Sequence, residues 1–182
     1  MLIKYNNTNI FAFSDTHTMH WDLFVPDGTD VLICAGDAVE DELDPDNYAD
    51  FLNWFESLPA AKHIFVPGDS EHIFTLAPKW GELLFRNRNI DLCLDTFIEY
   101  NDITFYGLAS PEVSRHVAKT VNNIDFLITH FPPSTIQGIS ELHPHYHLFG
   151  HDHHMSDYRE AHIDIVTRSY NVSKYEELLG EE

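Results

Sequence analysis

Basic residues are scarce in this chain. Ten Lys and Arg stand against thirty Asp and Glu, giving a formal net charge of −20 over 182 residues. A chain of that sign repels nucleic-acid backbones and anionic membranes at long range, which argues against duplex DNA as a substrate. Cysteine is nearly absent: only Cys34 and Cys93 occur, each inside an apolar run ("VLICAGD", "DLCLD"). Two buried free thiols are expected rather than a bridge, and a cytoplasmic home fits them. No apolar window approaches the ~20 residues that span a bilayer. The opening "MLIKYNNTNI" has no signal-peptide core. Linkers, repeats and low-complexity stretches are also missing, so residues 1–182 read as a single domain.

What is present suits a compact fold: 43% of residues are hydrophobic and 13% aromatic. Five short apolar runs stand out: "NIFAFSD", "DVLICAGD", "HIFVPGD", "DFLITH" and "YHLFGHDH". Continuous runs of four to six such residues suit strands buried on both faces. Helical patterns lie between them. Asp44 followed by Pro45 reads as an N-cap with Pro at the first helical position. Tyr48, Leu52 and Phe55 then follow helical spacing, with Phe51, Trp54 and Leu58 beside them, and the helix should stop before Pro59. Leu76, Trp80, Leu83 and Leu84 form a second stripe, interrupted by Gly81, and Val113, Val117 and Val121 a third. Both are expected to face the core. "FIEYNDITFYG" reads as a hairpin turning at Asn101-Asp102, "YREAHIDIVTRSY" as a further strand or pair, and "SKYEELLGEE" as a short terminal helix. Strands alternating with helices, with hairpins besides, predict an α/β architecture with mixed sheets.

The five runs end in similar chemistry. Asp15 and His17 follow the first, Asp37 the second and Asp69 the third. His130 ends the fourth, and His151 and His153 follow the fifth. Ligands of open α/β sheets bind beyond the carboxyl ends of strands. Parallel strands would bring these seven side chains to one rim. Carboxylates and imidazoles together suit divalent ions such as Mn²⁺, Zn²⁺ or Fe²⁺. Gly36, Gly68 and Gly150 precede ligand positions, where the chain is expected to turn tightly.

In order, "DTH", "GDAVE", "GDSE", "TH" and "GHDH" resemble the signature of the calcineurin-like metallophosphoesterase superfamily, and most closely its small MPPED-like group. The resemblance runs from Asp15 to His153. It implies a four-layer αββα sandwich of two mixed sheets flanked by helices. It also implies two divalent metal ions (Mn, Zn, Fe or Ni): Asp15, His17 and His153 on one, Asp69, His130 and His151 on the other, and Asp37 bridging. The implied activity is hydrolysis of a small phosphate ester, most simply a phosphodiester, by a hydroxide that the ion pair activates.

One loop departs from the pattern. The family has Asn where Asp69 stands and His where Ser70 stands. An acid at 69 still ligates but adds negative charge beside an anionic substrate. The family's His is held to protonate the leaving group, work that a serine hydroxyl is too weak an acid to do. His72, two residues on, is the candidate substitute. A similar loop, with Gly-Asp and no His, occurs in the metallophosphoesterase-like scaffold subunit of retromer. Two readings therefore stand: a metal-dependent phosphoesterase with weakened activity, or a metal-binding module whose partners are proteins. Arg115 and His116 are candidates for holding phosphate, and the alternate histidines of "HPHYH" (His143, His145, His147) for a surface loop or a stray ion.

Overall fold

The computed structural model describes residues 1–40, 43–109, 123–154 and 168–179. Ten strands form two five-stranded mixed sheets. The first holds β1 (Leu2–Tyr5), β2 (Thr8–Phe13), β3 (Val31–Cys34), β4 (Lys62–Phe65) and β5 (Asp91–Leu92), in that order. The second holds β6 (Thr96–Tyr100), β7 (Ile103–Leu108), β8 (Phe126–Thr129), β9 (Tyr146–Phe149) and β10 (Arg168–Asn171), in the order β10-β9-β8-β7-β6. In each sheet one strand is antiparallel, β1 against β2 and β6 against β7, and the remaining neighbours are parallel.

Side-chain alternation explains the layers. Ile10, Ala12, Val31, Ile33 and Ile64 of the first sheet meet Ile103, Phe105, Phe126, Ile128 and Leu148 of the second in one buried core. The intervening residues face outward. Phe11, Phe13, Leu32, Cys34 and Phe65 pack against helix α1 (Pro45–Ser57) and the short helices α2 (Ile73–Leu76) and α3 (Pro78–Leu84). Tyr106, Leu108 and Leu127 form the outer cluster of the second sheet with Ile124, Ile136 and Leu142. Strands buried on both faces read as unbroken apolar runs for this reason. The result is the four-layer α/β sandwich of two mixed sheets flanked by helices.

Local signals held where their chemistry is specific. Asp44 caps α1, its side chain accepting from the Asp46 N–H at 2.9 Å, and Pro45 opens the helix. The β6–β7 turn puts Asn101 and Asp102 at φ 49° and 58°, the left-handed pair a two-residue hairpin needs. Cys34 and Cys93 are buried and free. Helix α4 (Tyr175–Leu179) follows β10.

The second stripe breaks expectation. Gly81 is the buried residue of α3, and a Cβ there would stand 2.7 Å from the Phe74 ring. That close approach turns Phe74, Ala77 and Leu84 to the core and leaves Leu76, Trp80 and Leu83 exposed. The stripe at Val113, Val117 and Val121 lies outside the described residues, as do Arg115, His116 and most of the late strand, of which β10 is the described part. No helix among the described residues is long and apolar enough to cross a membrane.

Candidate metal centre

Five parallel strands deliver the seven predicted residues. β2, β3 and β4 of one sheet and β8 and β9 of the other end where Asp15, His17, Asp37, Asp69, His130, His151 and His153 begin. Asp15, His17, Asp37 and His151 have positive φ (56°, 40°, 51° and 68°). Such backbone costs of order 1–3 kcal/mol per residue and concentrates where function fixes geometry.

The donor atoms gather in three overlapping groups, each within 4.8 Å: Asp15, His17 and His153; Asp69, His130 and His151; and Asp15, Asp37 and His130. Asp37 lies between the first two. Its Oδ2 is 3.7 Å from His17 Nε2, and its Oδ1 is 3.3 Å from His130 Nε2. Asp69 Oδ1 lies 2.8 Å from His130 Nε2 and 2.9 Å from His151 Nδ1. His153 Nε2 lies 3.5 Å from Asp15 Oδ1. The Asp15 carboxylate is wholly buried and also accepts from Ser14 Oγ and from the His151 N–H.

Two imidazole nitrogens suit a cation. Nε2 of His17 and Nε2 of His130 are buried and make no hydrogen bond, although carboxylate oxygens stand close. His130 Nδ1 is 2.9 Å from the Ala35 carbonyl, a bond that takes the proton of a neutral ring and leaves the Nε2 lone pair facing Asp37 and Asp69. Lone pair against carboxylate is repulsive unless positive charge lies between them. In the absence of metal a proton fills that need. Burial pushes His130 down, but Asp37 and Asp69 outweigh it and hold the imidazolium well above the ordinary histidine range. The side chains thus fit divalent ions by donor chemistry and by demand for charge.

Two neighbours of the site carried no role in the sequence reading. Glu71 is buried, and its carboxylate accepts from four backbone N–H groups: Gly68 at 2.6 Å, Asp37 at 2.9 Å, Ala38 at 2.7 Å and Val39 at 3.3 Å. It ties the Asp69 loop to the Asp37 loop. Burial, with the charge of Asp37, pushes its carboxyl up to about 7, against the pull of the N–H donors. The acid closing "GDSE" was the available signal. Tyr175 stacks on His153 with centroids 4.0 Å apart and meets His17 edge-on at 5.2 Å. Nothing in its sequence position marks it, since it arrives through long-range pairing: Lys174 N–H donates to the Ser14 carbonyl, and Ser14 N–H to the Val172 carbonyl.

The glycines have mixed reasons. Gly36 has φ 92°, as a tight turn requires, whereas Gly68 and Gly150 lack positive φ. They are small because carboxylates crowd them: a Cβ on Gly68 would fall 2.2 Å from Asp37 Oδ1, and one on Gly150 2.6 Å from Asp15 Oδ2. Ser70 is half-buried and donates its backbone N–H to Asp37 Oδ1 at 2.9 Å. His72 is half-buried, with Nδ1 3.4 Å from the Ser70 carbonyl of its own loop, and belongs to none of the three donor groups. The "HPHYH" histidines do not converge: His143 and His145 are exposed, while His147 is buried in β9.

No protein-family model matches the sequence, and no curated protein matches it. Solved structures do match. The crystal structure of phosphopantetheinyl hydrolase from Mycobacterium tuberculosis superposes with a TM-score of 0.66 and 17% identity, over 90% of this chain and 88% of that one. The protein TT1561 of Thermus thermophilus superposes with a TM-score of 0.54 and 13% identity, over 83% of each chain. At such identities the likeness is one of architecture: this chain shares the two-sheet α/β fold of those proteins.

Proposed function

We propose that the chain is a metal-dependent phosphoesterase that hydrolyses small phosphodiesters. Asp15, His17 and His153 would hold one divalent ion, Asp69, His130 and His151 a second, and Asp37 would join them. The observation that carries this reading is the Asp37 side chain, whose two oxygens face His17 on one side and His130 on the other. The fold shared with a phosphopantetheinyl hydrolase supports the reaction class. A bound pair of divalent ions supplies Lewis acidity at phosphoryl oxygens and lowers the pKa of water to about 7.

The chain's own residues set the limits. Three carboxylates among the ligands leave two divalent ions one net positive charge to offer a phosphate, where an amide at position 69 would leave two. Anion binding is therefore weak. Ser70 gives no acid for the leaving group, and His72 turns toward its own loop. Esters whose leaving groups need no proton are the favoured substrates. The buried free thiols suit a reducing cytoplasm.

The purified protein with Mn²⁺ is tested on an activated aryl phosphodiester and the matching monoester, beside Asp37→Ala. Metal-dependent turnover lost in the variant supports the enzyme. The absence of Asn and His at positions 69 and 70 favours a second reading, a metal-holding interaction module. Ion uptake without turnover across Mn²⁺, Zn²⁺, Ni²⁺ and Fe²⁺ would select that reading instead.

A further inference from the structure

The helical stripe that Gly81 turns outward is the largest departure from the sequence pattern. Leu76 is 64% exposed, Trp80 69% and Leu83 54%, and Phe97 on β6 is 46% exposed. These are four of the nine exposed large hydrophobic side chains among the described residues. Large apolar groups gathered on one face mark a contact surface, whereas scattered ones need no explanation.

Beside the stripe runs an open cleft of about 800 Å³, lined by Lys79, Leu83 and Arg86 from α3 and its end, and by Leu92, Phe97 and Ile98 from β5 and β6. β5 and β6 are the last strands of their sheets, so their outer edges are free of ladder partners among the described strands. None of the seven candidate ligands lines this cleft.

Charge identifies the occupant. In a chain with three acids for each base, cations would be expected to be taken up by neighbouring carboxylates. Lys62 and Arg88 follow that rule, pairing with Asp91 at 2.6 Å and Glu56 at 3.1 Å. Lys79 and Arg86 do not: neither makes an ion pair or side-chain hydrogen bond among the described residues. The acids lining the cleft are Glu82 and Asp91, and Asp91 is already neutralised by Lys62. With Asp91 paired to Lys62, two cations stand against the one remaining acid, Glu82, so this apolar cleft is one charge positive on a molecule of net charge −20 and is complementary to an acidic ligand that carries large apolar groups. A second copy meeting the same face about a two-fold axis would bring four cations of the two clefts together with only the two Glu82 carboxylates to offset them, which is unfavourable.

We propose that the face formed by α3, the end of α2 and the β5–β6 edge docks a short acidic segment of a partner protein, one bearing two or three large apolar side chains. Leu83, Trp80 and Phe97 receive the apolar groups, and Lys79 and Arg86 the carboxylates. This surface is independent of the metal centre and of any turnover there.

The test is selection of a phage-displayed random peptide library on the immobilised full chain, followed by titration of the synthetic winners. Enrichment of peptides combining Asp or Glu with Leu, Phe or Trp is expected, with affinity at least tenfold weaker for the Leu83→Ser variant. The Lys79→Glu/Arg86→Glu variant should instead select Lys- and Arg-bearing peptides. All these changes lie on the surface, so unchanged circular dichroism and metal uptake verify the fold. Winners without acidic residues, or winners that bind both variants as well as wild type, would overturn the proposal. Sedimentation showing self-association that Trp80→Ser abolishes would overturn it too, by assigning the face to a second copy.

Discussion

Glu71 Oε2 accepts the backbone N–H of Asp37 at 2.9 Å, and Oε1 that of Ala38 at 2.7 Å, so one buried carboxylate holds the backbone that presents Asp37 to the donor cluster. Gly68 and Val39 donate to the same group. Removing it strands four backbone donors, three of them buried, at about 1–3 kcal/mol for each buried one before relaxation. Glu71→Ala should lose most of the stability of a domain whose total is of order 5–15 kcal/mol. Glu71→Gln keeps one accepting oxygen and should fall between wild type and Ala. Denaturant midpoints rank the three, and equal midpoints would show that Glu71 is not the clamp.

Tyr175 is a brace for one half of the site only. It touches His153 and His17, whereas His130 and His151 contact each other and Phe131. Aromatic pairs contribute about 0.5–1.5 kcal/mol. Tyr175→Ala should therefore weaken uptake of one ion by roughly 2- to 10-fold and leave the other unchanged, with Tyr175→Phe near wild type. Calorimetric titration with Mn²⁺ resolves the two, and a uniform loss at both sites would count against the brace.

The legible parts of this protein are the ones whose signal is local. The runs ending at Asp15, Asp37, Asp69, His130 and His151 are strands buried on both faces, so burial alone wrote them as unbroken apolar text. Asp44-Pro45 and Asn101-Asp102 specify a cap and a turn through chemistry confined to a few residues. Leu76, Trp80 and Leu83 kept helical spacing but named the wrong face, because the deciding residue was a glycine whose role is absence of bulk beside Phe74. Tyr175 was illegible for another reason. It reaches His153 only after residues 172–174 pair with Ser14, a contact between chain ends that no window of sequence contains.

Three buried histidines make the fold acid-sensitive. Burial lowers His20 despite Asp50, lowers His63 despite its bond to the Leu58 carbonyl, and lowers His147 to about 3. The Thr129 hydroxyl donates to the Phe131 carbonyl and lies 2.8 Å from His147 Nε2, so the ring donates to that oxygen through Nε2–H, and burial is what keeps it neutral. A folded pKa below the unfolded value of about 6.5 means that the unfolded chain binds the extra proton. The stability is complete above about pH 6.5 and falls as pH drops, by about 1.4 kcal/mol per unit for His147 alone. His130 has the opposite sign in metal-free protein, so the informative quantity is a difference. His147→Leu should show a shallower loss of denaturation midpoint than wild type between about pH 6.5 and 5, and parallel curves would refute the assignment.

Under the proposed phosphoesterase function, position 70 is the place where a leaving-group acid can be restored. Ser70 contributes its backbone N–H to Asp37 Oδ1, a bond that any side chain except proline preserves. Its half-buried side chain stands where the signature that the sequence resembles carries His. Ser70→His therefore adds a proton donor without disturbing the Asp37 contact. A positioned acid contributes about 10²–10⁴-fold, and only where the leaving group needs the proton. Turnover of an alkyl phosphodiester should rise by about that factor, while an activated aryl ester changes little. Asp69→Asn acts differently. It removes one negative charge beside the proposed phosphate position and should lower KM for both esters with kcat nearly constant, at some cost in ion affinity. Steady-state kinetics on the two esters separates these effects. An equal response of both esters to Ser70→His would mean that the imidazole acts through charge alone, and no response from either would place the missing acid elsewhere in the chain.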